Sequence, residues 1–98
     1  MKPHRLHRDA EEEYATAAEH YARISPALGI RFYEEVERLI LDVRARPTLY
    51  RRHVGAIRRH FSTVFPYGVL YHDRSDHVWI LAVIPMRRAP DYWLHRMG

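Results

Sequence analysis

The chain has 98 residues, 47% hydrophobic and 29% charged, with 16 basic against 12 acidic side chains and no cysteine. That is enough chain for one core but not two, and the missing thiols exclude disulfide staples and thiolate chemistry, as suits a reducing compartment. The polar start MKPHRLHRD is not a secretory leader, and the longest apolar run, residues 78–86, is too short to cross a bilayer. The chain therefore reads as one cytoplasmic domain over residues 1–98.

Residues 3–7 allow a short edge strand. The first helix is signalled by Asp9 with Glu12 three residues on, a pairing like a capping box. Ala10, Tyr14, Ala17, Ala18, Tyr21 and Ala22 then form the i, i+3, i+4 stripe of an amphipathic helix. Glu11, Glu12 and Glu13 fall in its first turn, where the helix dipole favours anions, and that position accounts for them without a catalytic role.

Ser25-Pro26 breaks this pattern and starts a second helix, because proline suits a first helical turn. Its apolar stripe runs through Leu28, Phe32, Val36, Leu39, Ile40 and Val43, with Tyr33 on its flank, and Pro47 ends it near Arg46. So short a join makes an antiparallel helical hairpin.

Past Pro47 the period changes. Residues 57–62 read as a short polar strand. Residues 64–72 follow, with Tyr67, Val69 and Tyr71 on one face and Leu70 on the other, and Pro66 requires a bulge or a position that needs no N–H. Asp73-Arg74-Ser75-Asp76 is turn chemistry and makes a hairpin with residues 78–84. That last run is apolar without alternation, as in a central strand covered on both faces; Trp79 is core within it, and Pro85 ends it. A short C-terminal helix fits residues 89–97, beginning near Pro90. The order (β)-α-α-β-β-β-(α) predicts an α+β fold, a helical hairpin packed on a small, mostly antiparallel sheet.

Charge divides unevenly over this order. Residues 1–50 hold nine acids and eight bases, whereas residues 51–98 hold three acids and eight arginines. Fifteen of the sixteen bases are arginine, a codon preference of high-GC genomes, but such a preference leaves the asymmetry between halves unexplained. An arginine-rich half implies an acidic partner, either nucleic acid or an acidic protein segment.

The ordered set of motifs resembles the RelE/ParE toxin superfamily. The matching residues are an Ala- and Tyr-rich first helix (Tyr14 to Tyr21) and Leu28, Gly29 and Phe32 opening the second. Glu34 to Val43 follow, then Arg44-x-Arg46-Pro47, Arg58-Arg59, Phe65-Pro66-Tyr67-x-x-x-Tyr71, Val78 to Val83, and Arg87-Arg88-x-Pro90-x-x-Trp93. The resemblance implies a growth-arresting toxin neutralised by a cognate acidic antitoxin. Its target is DNA gyrase in ParE-like members, or mRNA on the ribosome in RelE-like ones. Phe65-Pro66-Tyr67 and the Arg-Arg-x-Pro tail favour the ParE-like side. A non-toxic binding module of the same fold is a third class. Where the superfamily carries a histidine or similar residue this chain has Pro85-Met86, so no catalytic histidine transfers there.

Target contact is expected from Arg58, Arg59, Arg87 and Arg88, with Tyr92 and Trp93 beside them, although Trp93 also suits packing of the tail on the sheet. Cleavage of RNA would need cations at the phosphate, from Arg58, Arg87 and Arg88, and proton carriers from His60, His72 or Tyr92. Tyr71 alternates with core residues and reads as core. Arg58 and Arg59 are strand neighbours and must face opposite ways. The eight histidines make no metal-binding motif; His4 and His7 fall on opposite faces of a strand, and His72 and His77 flank a turn. No glycine-rich phosphate loop or serine elbow is present, and no metal or cofactor is expected.

Overall fold

Strand β1 (His4–Leu6) leads directly into helix α1 (Arg8–Ile24) in a computed structural model that describes residues 1–87 and 93–97. The helix begins one residue before the expected Asp9 cap. His7 is held by β-sheet pairing, its N–H donating to the Ile80 carbonyl at 2.9 Å, so the chain must turn there. The His7 Nδ1 then accepts the Asp9 N–H at 3.0 Å and takes the capping role assigned from sequence to the Asp9–Glu12 pair.

A single residue, Ser25, separates α1 from α2 (Pro26–Ala45). Its backbone N–H closes α1 on the Tyr21 carbonyl, while its hydroxyl accepts the Leu28 N–H to open α2. The two helices run antiparallel and meet closely at Gly29, where a Cβ would lie 2.6 Å from the Ala22 Cβ.

The remaining strands are β2 (Arg52–Val54), β3 (Ile57–Phe61), β4 (Tyr67–Asp73) and β5 (Val78–Pro85), followed by a 3-10 turn, Leu94–Met97. They form one sheet in the order β1-β5-β4-β3-β2, with β1 parallel to β5 and every other pair antiparallel. This is the α+β architecture expected. The start of the proposed C-terminal helix near Pro90 lies outside the described residues.

Both faces of the sheet are covered. Phe32, Val36, Leu39, Ile40 and Val43 of α2, with Ala10 and Ala17 of α1, pack on Val69, Tyr71, Val78, Ile80 and Val83. On the far face, Trp93 covers Ile57, Leu70, Leu81, Ala82 and Ile84. This double burial is why β5 is apolar without alternation. A bulge interrupts it: Tyr71 pairs with Ile80 but Leu70 with Ala82, leaving Leu81 as the extra residue.

Two strand boundaries differ from the sequence pattern. β2 was not predicted, because three residues carry too little periodicity. The strand expected from residue 64 begins instead at Tyr67. The Ser62 hydroxyl accepts both the Val64 and Phe65 N–H groups at 3.0 Å and folds that segment into a turn. Pro66 therefore precedes the ladder, where its lack of an N–H costs nothing. Among the described residues, no helix is long and apolar enough to cross a membrane.

Candidate target-contact surface

The arginines of β3 divide as the period-2 rule requires. Arg58 lies opposite Tyr71, a residue of the helix-side core, and Arg59 lies opposite Leu70, in the far-face core. Arg58 Nη1 donates to the Tyr50 carbonyl at 2.7 Å, which fixes one edge of its guanidinium. The Arg59 guanidinium sits 5.4 Å from the centre of the Phe61 ring, a cation–π contact.

His60 shares the helix side with Arg58 and is the centre of a polar network. Its Nε2 lies 2.9 Å from the Asp42 carboxylate, and its ring stacks on Tyr50 at 3.9 Å between centroids. Asp42 also accepts from Arg38 at 3.0 Å. Arg38 in turn forks onto Glu35, with both bonds at 2.8 Å, and the buried Ser62 hydroxyl donates to the same carboxylate at 2.5 Å. Arg38, and after it Ser62, hold the Glu35 carboxyl below the usual carboxylate range against the opposing effect of burial. Burial, reinforced by Asp42, raises the Tyr50 phenol. The network ties β3 and the turn after it to α2.

An aspartate-held imidazole beside a tyrosine is a pairing able to move protons. Among the described residues, neither Tyr71 nor His72 joins it. Tyr71 is fully buried, its hydroxyl donating to the Pro47 carbonyl at 2.8 Å, and burial raises its phenol despite the Arg58 guanidinium opposite. This agrees with the core role read from its alternation. His72 follows Leu70 by two on β4 and so faces the far side, where its Nδ1 accepts from Arg74 at 3.3 Å. Tyr92 and Arg88 lie outside the described residues.

Arg87 is exposed just past the end of β5. Trp93 is wholly buried, so of its two sequence-based roles the geometry carries the packing one: its ring roofs the far face, 5.9 Å from that of His53. Among the described residues, no group of three or more His, Asp or Glu side chains is placed to hold a metal ion. His7 instead caps α1, and His77 Nδ1 pairs with Asp76 at 2.7 Å.

Sequence reading missed two features here. Glu35, Arg38 and Asp42 were legible as charged residues three and four apart on one helix face, but their link to Ser62 and His60 needed the fold. Arg46, Arg51 and Arg52 are exposed around β2, and the available signal was a run without any acidic residue from 43 to 72.

Residues 5–90 match the family model described as the ParE toxin of the type II toxin–antitoxin system, parDE. No curated protein matches the sequence. Among solved structures, the chain resembles one of the chromosomal ParDE TA system from P. aeruginosa, with a TM-score of 0.76 at 15% identity. The superposition covers 87% of this chain and 96% of that one, and it establishes likeness of fold.

Proposed function

The chain belongs to the ParE toxin family of type II toxin–antitoxin systems, and from that premise we propose that it arrests growth in the cytoplasm by engaging DNA gyrase and is neutralised by an acidic antitoxin. The observation that supports the gyrase reading is that, among the described residues, the two histidines named from sequence as proton carriers stand apart. His60 and His72 stand on opposite faces of the sheet, and Tyr71 is sealed in the core. Cleavage of RNA requires an acid and a base around one phosphate. A poison that works by contact requires only a surface, to which Arg58, Arg59 and Arg87 would contribute, with Arg88 following Arg87 directly and Tyr92 a few residues on in sequence. On this reading the chain is not an enzyme.

One observation favours a ribosome-dependent ribonuclease as the second reading: the His60–Asp42 pair stacked on Tyr50, with Arg58 on the same face. Pulse-labelling of DNA and protein synthesis just after induction of the chain alone separates the two. Early failure of DNA synthesis with DNA-damage signalling supports gyrase. Early failure of translation, with mRNA cut in translated regions, overturns it in favour of cleavage. Unimpaired growth on induction of folded protein overturns both and leaves a non-toxic binding module.

A further inference from the structure

The hairpin of β2 and β3 sets like charges against each other. Arg52 on β2 pairs directly with Arg58 on β3, and the Arg59 N–H donates to the Arg51 carbonyl at 2.9 Å. Like charges directly opposite on antiparallel strands oppose pairing. Ordinarily a carboxylate nearby relieves this. Here residues 43–72 contain no acid at all, and among the described residues none of Arg46, Arg51, Arg52, Arg58 and Arg59 forms an ion pair. Elsewhere Lys2, Arg23, Arg38 and Arg96 have carboxylate partners while other arginines stand singly, so what sets the hairpin apart is the clustering of several such arginines in a stretch without acids. The hairpin is thus a cationic ribbon whose charge no carboxylate among the described residues compensates.

Its position and shape narrow the partner. β2 is the outermost strand, Gly55 (φ 54°) turns the chain tightly into β3, and Arg51 and Arg52 are exposed. The cations lie on both faces of the ribbon, Arg58 toward the helices and Arg59 away from them. An acidic peptide laid along one face would neutralise only half of them. A groove walled by phosphates on two sides would meet both, and the major groove of duplex DNA admits a two-stranded ribbon. Guanidinium forks suit phosphate oxygens.

We propose that the β2–β3 hairpin is a duplex-DNA-binding ribbon, its arginines engaging the phosphates on both walls of a groove. The inference rests on the gyrase reading and deepens it: the chain would be held at the enzyme by the enzyme's own DNA as well as by protein contact.

The test is fluorescence anisotropy of the full chain with a labelled duplex of mixed sequence, the same single strand, and polyglutamate, across a salt series. The ribbon variant is Arg51→Gln/Arg52→Gln/Arg59→Gln. Its control, Arg8→Gln/Arg23→Gln/Arg31→Gln, removes equal charge elsewhere, and circular dichroism verifies that both fold. The expected result is salt-sensitive duplex binding that the control keeps and the ribbon variant loses at least tenfold. The slope of log affinity against log salt should fall by about two to three. A ribbon variant that does not fold is replaced by its arginine-to-lysine counterpart, which keeps the charge, should bind duplex more weakly than the parent, and should retain the salt slope.

Absence of duplex binding at about 50 mM salt, equal loss in the control, or binding to the single strand as tight as to duplex overturns the proposal. Loss of polyglutamate binding alone makes the ribbon an acidic-protein surface and overturns it too. Growth arrest with failed DNA synthesis that persists in a folded ribbon variant overturns the inference while leaving the gyrase reading intact.

Discussion

The guanidinium of Arg96 clasps the carboxylate of Glu13, 83 positions earlier in the chain, through bonds of 2.9 and 3.0 Å. The bulge at Leu81 explains why the pair stands there. Beyond it, the Leu81 carbonyl and the Val83 N–H turn to the outer side of β5, where β1 has already ended. Arg96 donates to that carbonyl at 2.9 Å, and Glu13 accepts that N–H at 3.1 Å. Two side chains thus close the stretch of sheet edge that a longer β1 would have covered.

Removing one member takes a charged partner from a group with little access to water, since the Arg96 side chain is only 6% exposed and that of Glu13 20%, and leaves Asp9, 3.5 Å from the Arg96 Nε, as a weaker substitute. Arg96→Met should cost about 3 kcal/mol in urea unfolding, and the Glu13→Gln/Arg96→Met double variant should cost less than the sum of the singles. Strictly additive losses would show that the pair is not coupled.

Acid should act through Glu35. Its carboxyl is depressed in the fold, first by Arg38 and then by Ser62. A depressed carboxyl contributes stability that is full above its unfolded pKa and lost as pH falls through the lower folded value. Glu35→Gln should therefore be less stable than the parent at pH 7 and lose less on going from about pH 5 to pH 2.5. Parallel acid limbs for the two proteins would rule out this role.

Close approach of the helices should make Gly29→Ala costly. The new methyl would meet the Ala22 Cβ at 2.6 Å and its Cα at 2.9 Å, and backbone cannot swing aside as a side-chain tip can. A loss of about 2 kcal/mol is expected in thermal or urea unfolding. Adding Ala22→Gly should recover part of it; no recovery would place the strain elsewhere.

Two tail substitutions should separate packing from contact. Trp93→Ala opens a cavity on the far face and should cost about 3–5 kcal/mol, so any loss of toxicity should track loss of folded protein. Arg87→Ala/Arg88→Ala should leave the melting temperature within a few degrees and abolish growth arrest. Full arrest by the folded arginine variant would remove these residues from the contact surface.

Helices α1 and α2 and the doubly buried β5 were legible because their signals are local and long. A 3.6-residue stripe over 17 and 20 residues needs no knowledge of its partner. The facing of Arg58 against Arg59 followed from the same kind of rule. His60 was named for its chemistry alone. Its link through Asp42 and Arg38 to Glu35 and Ser62 was not, because it joins a helix to a strand and the turn after it, 18 to 27 residues away.

The sequence by itself determined the α+β class, the helical hairpin and the basic character of the second half, all set by periodicity, turn residues and charge count. Tertiary structure alone decided where those charges meet. The register of a three-residue strand put Arg52 opposite Arg58, a bulge turned β5 toward Glu13 and Arg96, and an uncovered sheet face took up Trp93. Each of these depends on which distant backbone groups are left without a partner once the sheet has formed, and no local pattern encodes that.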